Sequence, residues 1–242
     1  MQPQVTRASW VMVAALGLIW GATFMVTELA LEGITPFWLA AGRIGVAATL
    51  MIFVWGLRGW ALFEPDPSSS PANARPWFTL GLAGALSLAV PFMLLSWGQQ
   101  YVTSGFAGVS MAVVALIVLP LAHFLVPGEA LNLRKTAGFV VGFAGVLVLI
   151  GGKAFDSTGS GLESAGRLAS LAAAACYAVG SILVRRLPPI DPIGLATVLM
   201  MAGAAIAIPT AWVFEGPPPR PPPTCHAARQ IAPHTSPVSG LK

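Results

Sequence analysis

The feature that most constrains the fold is a series of seven apolar runs, each about 20 residues long, that fill most of the 242-residue sequence. An α-helix needs about 20 apolar residues to cross about 30 Å of hydrocarbon. The runs lack the period-2 alternation of outer-membrane strands. In chain order they are Trp10–Leu31, Pro36–Leu57, Trp77–Gly98, Ser104–Leu125, Arg134–Ile150, Leu168–Leu187 and Ile193–Phe214. They predict an all-α membrane protein, a polytopic helical bundle with about seven transmembrane helices.

The composition excludes an ordinary soluble fold. Hydrophobic residues make up 56% of the chain and charged residues 9%, with a mean hydropathy of +0.77, whereas a soluble domain carries about 25% charged residues. A sequence pI of about 9.6 would suggest a nucleic-acid partner for a soluble protein, but here the basic residues lie singly between apolar spans. We therefore expect the chain to contact the lipid bilayer and to bind no nucleic acid.

The basic residues also predict the orientation, because cytoplasmic loops of membrane proteins carry an excess of Lys and Arg. With the N-terminus in the cytoplasm, Lys153 and Arg167 are the basic loop residues that lie outside, and the C-terminal tail would add Arg220, Arg229 and Lys242 on that side. The cytoplasmic side then carries Arg7, Arg58, Arg75, Arg134, Lys135, Arg185 and Arg186. We therefore expect a multi-pass protein of the cell membrane (the cytoplasmic, or inner, membrane) with a cytoplasmic N-terminus.

The C-terminal stretch, residues 215–242, has a different composition. It contains eight prolines and no apolar periodicity, so it cannot form a packed helix and is predicted to be a disordered tail. Out-of-frame translation of GC-rich DNA produces many Pro, Arg, Ala and His codons, which suggests that the reading frame was lost near Glu215. The alternative is a natural disordered tail on a seven-helix protein.

Several motifs give the chain a family resemblance. The segment LGLIWGATF at residues 16–24 is followed by a short turn to Pro36 and by LAAGRIGVAA, which contains Arg43. The fourth and fifth runs add Pro120 in mid-helix, Gly128-Glu129 in a loop, and glycines from Gly138 to Gly145. In order and spacing, these features resemble the EamA-type transporters of the drug/metabolite transporter superfamily over about residues 10–214.

The resemblance implies two five-helix repeats, of which this chain would hold the first (residues 10–151) and the first two helices of an inverted second one (residues 165–214). A weak internal echo agrees: Trp20-Gly21 aligns with Tyr177-Ala178, 157 residues later, and Pro36 echoes Pro192. Inverted repeats are the usual architecture for alternating access. The implied function is a secondary transporter that exports or exchanges small metabolites or drugs. The last three helices of the pattern are absent, so a truncated, non-transporting membrane protein is the alternative.

Two charged residues fall within the predicted spans, where a charge costs about 2.5–3.5 kcal/mol on insertion scales. Glu28 and Arg43 lie on antiparallel neighbours, roughly 8 and 11 Å from the turn that joins them. In a functional interpretation, Glu28 titrates protons or binds a substrate amine, and Arg43 anchors a substrate carboxylate. In a structural interpretation, the two form an ion pair that closes the hairpin, or Glu28 reaches the outer interface.

Uncharged residues complete the candidate substrate site. Ser96 and Gln99 could line a cavity or serve as interhelical hydrogen-bonding groups, and Trp20 and Tyr177 could wall it for an apolar or aromatic moiety. Small residues at spacing four, such as Gly17 and Gly21, allow close helix packing within one subunit or in a homodimer.

The sequence carries no signature of catalysis or of ATP use. It contains no GxxxxGK[ST] loop and no HExxH pair. Its aspartates, Asp66, Asp156 and Asp191, all fall in predicted loops rather than within one span. We therefore expect a small-molecule substrate, with proton coupling as one energy source, and no cofactor or metal. A membrane-embedded enzyme is the less favoured alternative.

Overall fold

The computed structural model describes residues 7–60, 62, 76–126, 132–150, 157–188 and 190–219. These residues form seven helices: α1 (Arg7–Ala30), α2 (Pro36–Leu57), α3 (Pro76–Gly84, Ala85–Ala89 and Val90–Gly98 in succession), α4 (Ser104–Leu125), α5 (Leu133–Ile150), α6 (Glu163–Arg185) and α7 (Pro192–Glu215). All but α5 are long and apolar enough to cross a membrane. The predicted polytopic helical membrane protein is confirmed. The predicted tail lies outside the described residues from Arg220 onward.

Local chemistry sets where the helices begin. The hydroxyl of Thr103 accepts a hydrogen bond from the backbone N–H of Phe106 (3.2 Å) and so caps α4. The Asp191 carboxylate accepts from the N–H groups of Ile193 (3.0 Å) and Gly194 (2.8 Å) at the start of α7. Such caps satisfy donors that have no partner within the helix. Pro36 and Pro192 occupy the first helical position, where the missing N–H costs nothing.

Helix α6 begins at Glu163 rather than at the predicted Leu168, because its first turn is polar and hydrophobicity alone does not detect it. The Glu163 carboxylate accepts a hydrogen bond from the Ser157 hydroxyl (2.7 Å) and forms an ion pair with Arg167, one turn further on. The guanidinium of Arg167 also lies 5.4 Å from the centroid of the Phe106 ring on α4. The entry into α6 is therefore fixed by polar contacts.

Helices α2 and α7 pack against each other over an extensive contact. They run antiparallel, and their contact is lined by small side chains, which let two helix backbones approach closely in a membrane. Beside it, a Cβ atom added at Gly45 would lie 3.8 Å from the Ile208 side chain, which is ordinary van der Waals contact. The buried residues that α2 and α7 contribute to the apolar core at this contact are Ala40, Ala41, Ile44, Ala48, Ala204, Ala207 and Ala211.

Hydrogen bonds join α2 and α7 near both of their ends. At one end, the Glu215 carboxylate accepts from the backbone N–H of Trp38 (2.9 Å). Toward the other, the Thr197 hydroxyl donates to the Met51 carbonyl (3.3 Å), and the Asp191 N–H donates to the carbonyl of Leu62, beyond the end of α2 (3.0 Å). The start of each helix thus lies beside the end of the other, and hydrogen bonds hold the two helices together near both ends.

Helix α3 contains a wide π-helical turn at Ala85–Ala89, just before Pro91. Such turns often occur where a helix accommodates a proline or a functional group. The turn packs directly against α6: a Cβ atom on Gly180 would collide with the Ser87 hydroxyl. A larger residue at position 180 would require Ser87 to shift, so glycine favours this approach of α3 to α6.

Candidate functional site

The most unusual group within the bundle is the guanidinium of Arg43. Arg43 is the eighth residue of α2, about 11 Å along the helix from its start. Its side chain is half-buried. Its Nη1 donates a hydrogen bond to the hydroxyl of Thr27 on α1 (3.0 Å), and its Cζ lies 4.8 Å from the centroid of the Phe92 ring on α3. A cation over a ring face is stabilised by the ring quadrupole.

Tyr177 brings α6 to the same point. Its ring meets that of Phe92 edge-on, with centroids 6.2 Å apart and an interplanar angle of 87°. Tyr177 is half-buried. We call the group formed by Thr27, Arg43, Phe92 and Tyr177 the Arg43 cluster. It draws one residue from each of α1, α2, α3 and α6, so it lies where four helices converge.

The Arg43 cluster has the chemistry of an anion-binding site. A guanidinium carries five N–H donors in a planar fork that matches a carboxylate or phosphate. Within the described part of the chain, the Arg43 guanidinium donates to the Thr27 hydroxyl, and this bond uses one of its five N–H donors. A charge within a membrane span is costly without a partner, and such residues commonly mark substrate pathways. The cluster therefore has capacity to bind an anionic group, with aromatic rings beside it.

The predicted ion pair between Glu28 and Arg43 is not formed. Consecutive residues on an α-helix point about 100° apart, and in α1 it is Thr27 that faces α2. Thr27 is buried (4% exposed), whereas Glu28 is exposed. Arg43 consequently bonds to the hydroxyl one residue earlier. The other structural alternative, in which Glu28 reaches the outer interface, stays a prediction.

The other predicted site residues divide into two groups. Trp20, on α1, is 72% exposed. Ser96 and Gln99 are buried near the end of α3, with exposures of 1% and 6%. The Gln99 side chain donates to the backbone carbonyl of Phe24 on α1 (3.0 Å), which is an interhelical structural contact of the kind considered from the sequence.

Two residues of the cluster were not predicted. Thr27 is an ordinary polar residue in an apolar helix, and only its position beside Glu28 could have drawn notice. Phe92 follows Pro91 in an apolar run, and nothing in the sequence distinguishes it from the other phenylalanines.

Comparison with known proteins agrees with this architecture. Residues 8–151 match the EamA-like transporter family. The chain is 24% identical over 207 residues to the uncharacterized transporter YoaV of Bacillus subtilis, covering 85% of this chain and 67% of that protein. It is 27% identical over 198 residues to the uncharacterized inner membrane transporter YedA of Escherichia coli, covering 80% of this chain and 59% of that protein.

A plant relative and a solved structure extend the comparison. A chloroplastic WAT1-related protein of Arabidopsis thaliana is 26% identical over 181 residues, covering 74% of this chain and 41% of that protein. The chain therefore spans less than two thirds of the length of some of its relatives. A protein crystal structure, 21% identical, shares the fold with a TM-score of 0.60, covering 86% of this chain and 68% of that one. Because the family match extends over more than half of its residues, this chain belongs to the EamA-like transporter family.

Proposed function

We propose that this chain acts as a secondary transporter, exporting or exchanging small organic anions across the cytoplasmic membrane, with the N-terminus in the cytoplasm. The observation that carries this proposal is the half-buried guanidinium of Arg43, for which the described structure offers one hydrogen-bond acceptor. A carboxylate would form two parallel, charge-assisted hydrogen bonds with this fork, and such bonds are roughly twice as strong as neutral ones.

The aromatic neighbours narrow the substrate class. The Phe92 ring lies against the guanidinium, and the Tyr177 ring meets Phe92 edge-on. A substrate anchored at Arg43 would therefore place its carbon skeleton beside these rings. Aromatic rings pack edge-on or offset against one another. We therefore propose small carboxylates with an apolar or aromatic body, and we take benzoate as the simplest probe.

The pairing of α2 with α7 supports transport by alternating access. The two helices begin with the same proline signal, run antiparallel, and are joined reciprocally near both ends. An inverted repeat would produce this relationship between its two second helices. We therefore propose that residues 10–151 form one repeat and that residues 165–214 begin the other, with the Arg43 cluster between them.

Uptake into proteoliposomes tests the proposal. The purified 242-residue chain should take up radiolabelled benzoate saturably, and unlabelled benzoate should compete more strongly than uncharged benzyl alcohol. Arg43→Gln should reduce uptake at least about tenfold, the change that corresponds to about 1.4 kcal/mol. Arg58→Gln is the matched control, because Arg58 is exposed at the end of α2.

The outcomes separate the alternatives. Saturable uptake that survives Arg43→Gln would show transport without an anion anchor at Arg43. No saturable uptake of benzoate, of other small carboxylates or of neutral metabolites by a folded chain would favour the non-transporting membrane protein. Release of product from a lipid-linked substrate would instead revive the membrane-embedded enzyme.

A further inference from the structure

Helix α1 is held to the bundle by unusually few groups. Among its side chains from Ser9 to Ala30, Thr27 is the buried one, at 4% exposure. Large apolar side chains along the helix are mostly exposed, including Val13 (60%), Trp20 (72%) and Leu29 (60%). By contrast, α2 is fastened to α7 near both ends. Helix α1 also packs against α4, where the Phe24 ring would touch a Cβ atom added at Gly108, so its attachment to the bundle is concentrated in the half of the helix that contains Phe24 and Thr27.

Among the residues that the structure describes, two polar contacts join the stretch of α1 between Trp10 and Ala30 to the rest of the bundle. One is the hydrogen bond from Arg43 to the Thr27 hydroxyl (3.0 Å), and the other is that from Gln99 to the Phe24 carbonyl (3.0 Å). Thr27 itself donates to the carbonyl of Thr23 (2.7 Å), within α1. The Thr27 oxygen is thus oriented by its own helix to accept from Arg43.

The group that holds α1 is also the group that would bind the substrate. We infer that the Thr27 hydroxyl occupies Arg43 in place of the substrate's anionic group, so that substrate binding displaces Thr27 and releases α1. This inference rests on the proposed function of Arg43. A neutral hydroxyl is the weaker acceptor, because hydrogen bonds between two charged groups are shorter and stronger. The exchange requires the carboxylate to bind the edge of the guanidinium that contains Nη1, the atom that donates to Thr27, and at that edge the carboxylate is the stronger acceptor.

The release has a defined pivot. The turn after α1 is closed by backbone hydrogen bonds from Gly33 and Ile34 to the carbonyl of Ala30 (3.1 and 3.0 Å). Once Thr27 leaves Arg43, the hydrogen bond from Gln99 to the Phe24 carbonyl remains. The helix can then tilt about this turn. Val13 lies about 26 Å along the helix from Ala30, so a tilt of about 10° about this turn moves it by about 4 Å.

Spin-label distances in lipid nanodiscs test this movement. One label is placed at Val13→Cys on α1 and the other at Val46→Cys on α2, both at exposed positions, with Cys176→Ala and Cys225→Ser removing the native thiols. Without ligand, Thr27→Val should broaden and shift the distance distribution by about 4 Å. Benzoate should produce the same change in the otherwise unaltered chain.

Thr23→Val is the matched control. Its hydroxyl donates to the carbonyl of Ile19 in the same helix (2.8 Å), so its removal should leave the distance unchanged. The inference is overturned if Thr27→Val behaves like Thr23→Val, or if benzoate binds through Arg43 without moving α1. If benzoate does not bind at all, or binds equally well to the Arg43→Gln variant, the Arg43→Lys variant and the parent chain, the proposed role of Arg43 as a substrate anchor is wrong. The inferred release of α1 is then wrong as well, because it rests on that role.

Discussion

The carboxylate of Glu215, at the end of α7, accepts a hydrogen bond from the backbone N–H of Trp38, in the first turn of α2, over 2.9 Å. It also accepts from the N–H of Phe37 (2.9 Å) and the hydroxyl of Thr35 (2.5 Å). The first N–H groups of a helix have no partner within it, and an anion there complements the helix dipole. A side chain at the end of α7 thus caps the N-terminus of α2.

Replacing Glu215 should therefore loosen the central helix pair. Glu215→Ala removes three hydrogen bonds and leaves two N–H groups of α2 without this acceptor. We expect the free energy of unfolding to fall by about 1–3 kcal/mol, measured by denaturant unfolding in detergent micelles. Glu215→Gln keeps one side-chain oxygen and should lose less. An Ala variant as stable as the parent chain would show that the contact contributes nothing.

Gly180 provides a second test of the packing. A Cβ atom there would collide with the Ser87 hydroxyl and lie 3.1 Å from the Ser87 backbone nitrogen. Because part of this obstacle is backbone, Gly180→Ala should force α3 and α6 apart and cost about 1–3 kcal/mol of stability. The measurement is the same unfolding experiment.

Gly142→Ala on α5 is the control for Gly180→Ala. The space around a Cβ at Gly142 is open, and alanine is a better helix former than glycine by about 1 kcal/mol. The control variant should therefore be as stable as the parent chain or more stable. Equal losses at both positions would argue against the close approach of α3 and α6.

The exposed position of Glu28 predicts that its charge is dispensable for transport. Glu28 faces away from α2, and Arg43 bonds to Thr27 instead. We expect Glu28→Gln to leave both the rate of benzoate uptake and its pH dependence unchanged in proteoliposomes. A flattened pH profile would instead identify Glu28 as a proton-coupling group.

Hydrophobicity and turn chemistry together predict much of this fold. The bounds of α2 and α4 predicted from their apolar runs coincide with those in the structure, where Pro36 and the Thr103 cap fix the starts. The start of α6 could not be predicted in this way, because Glu163 and Arg167 make its first turn polar. Hydropathy detects the part of a helix that lies in lipid and misses the part that extends beyond it.

The site was less predictable than the fold, for a geometric reason. The sequence identified Arg43 as a charge that requires a partner, yet it suggested Glu28 rather than Thr27. Residues one apart on a helix differ by about 100° in direction, so the rotation of α1 decides which of them faces Arg43. Contacts such as Arg43 with Phe92 join helices far apart in sequence, and apolar periodicity does not specify them.

The most direct test of the account is benzoate binding to the purified chain in nanodiscs, measured by titration calorimetry for the parent, Arg43→Gln, Arg43→Lys and Arg58→Gln chains. We predict that Arg43→Gln raises the Kd at least about tenfold, that Arg43→Lys raises it less because the charge is kept, and that Arg58→Gln leaves it unchanged. Equal Kd values for the parent and a folded Arg43→Gln chain would contradict the claim that Arg43 anchors the substrate.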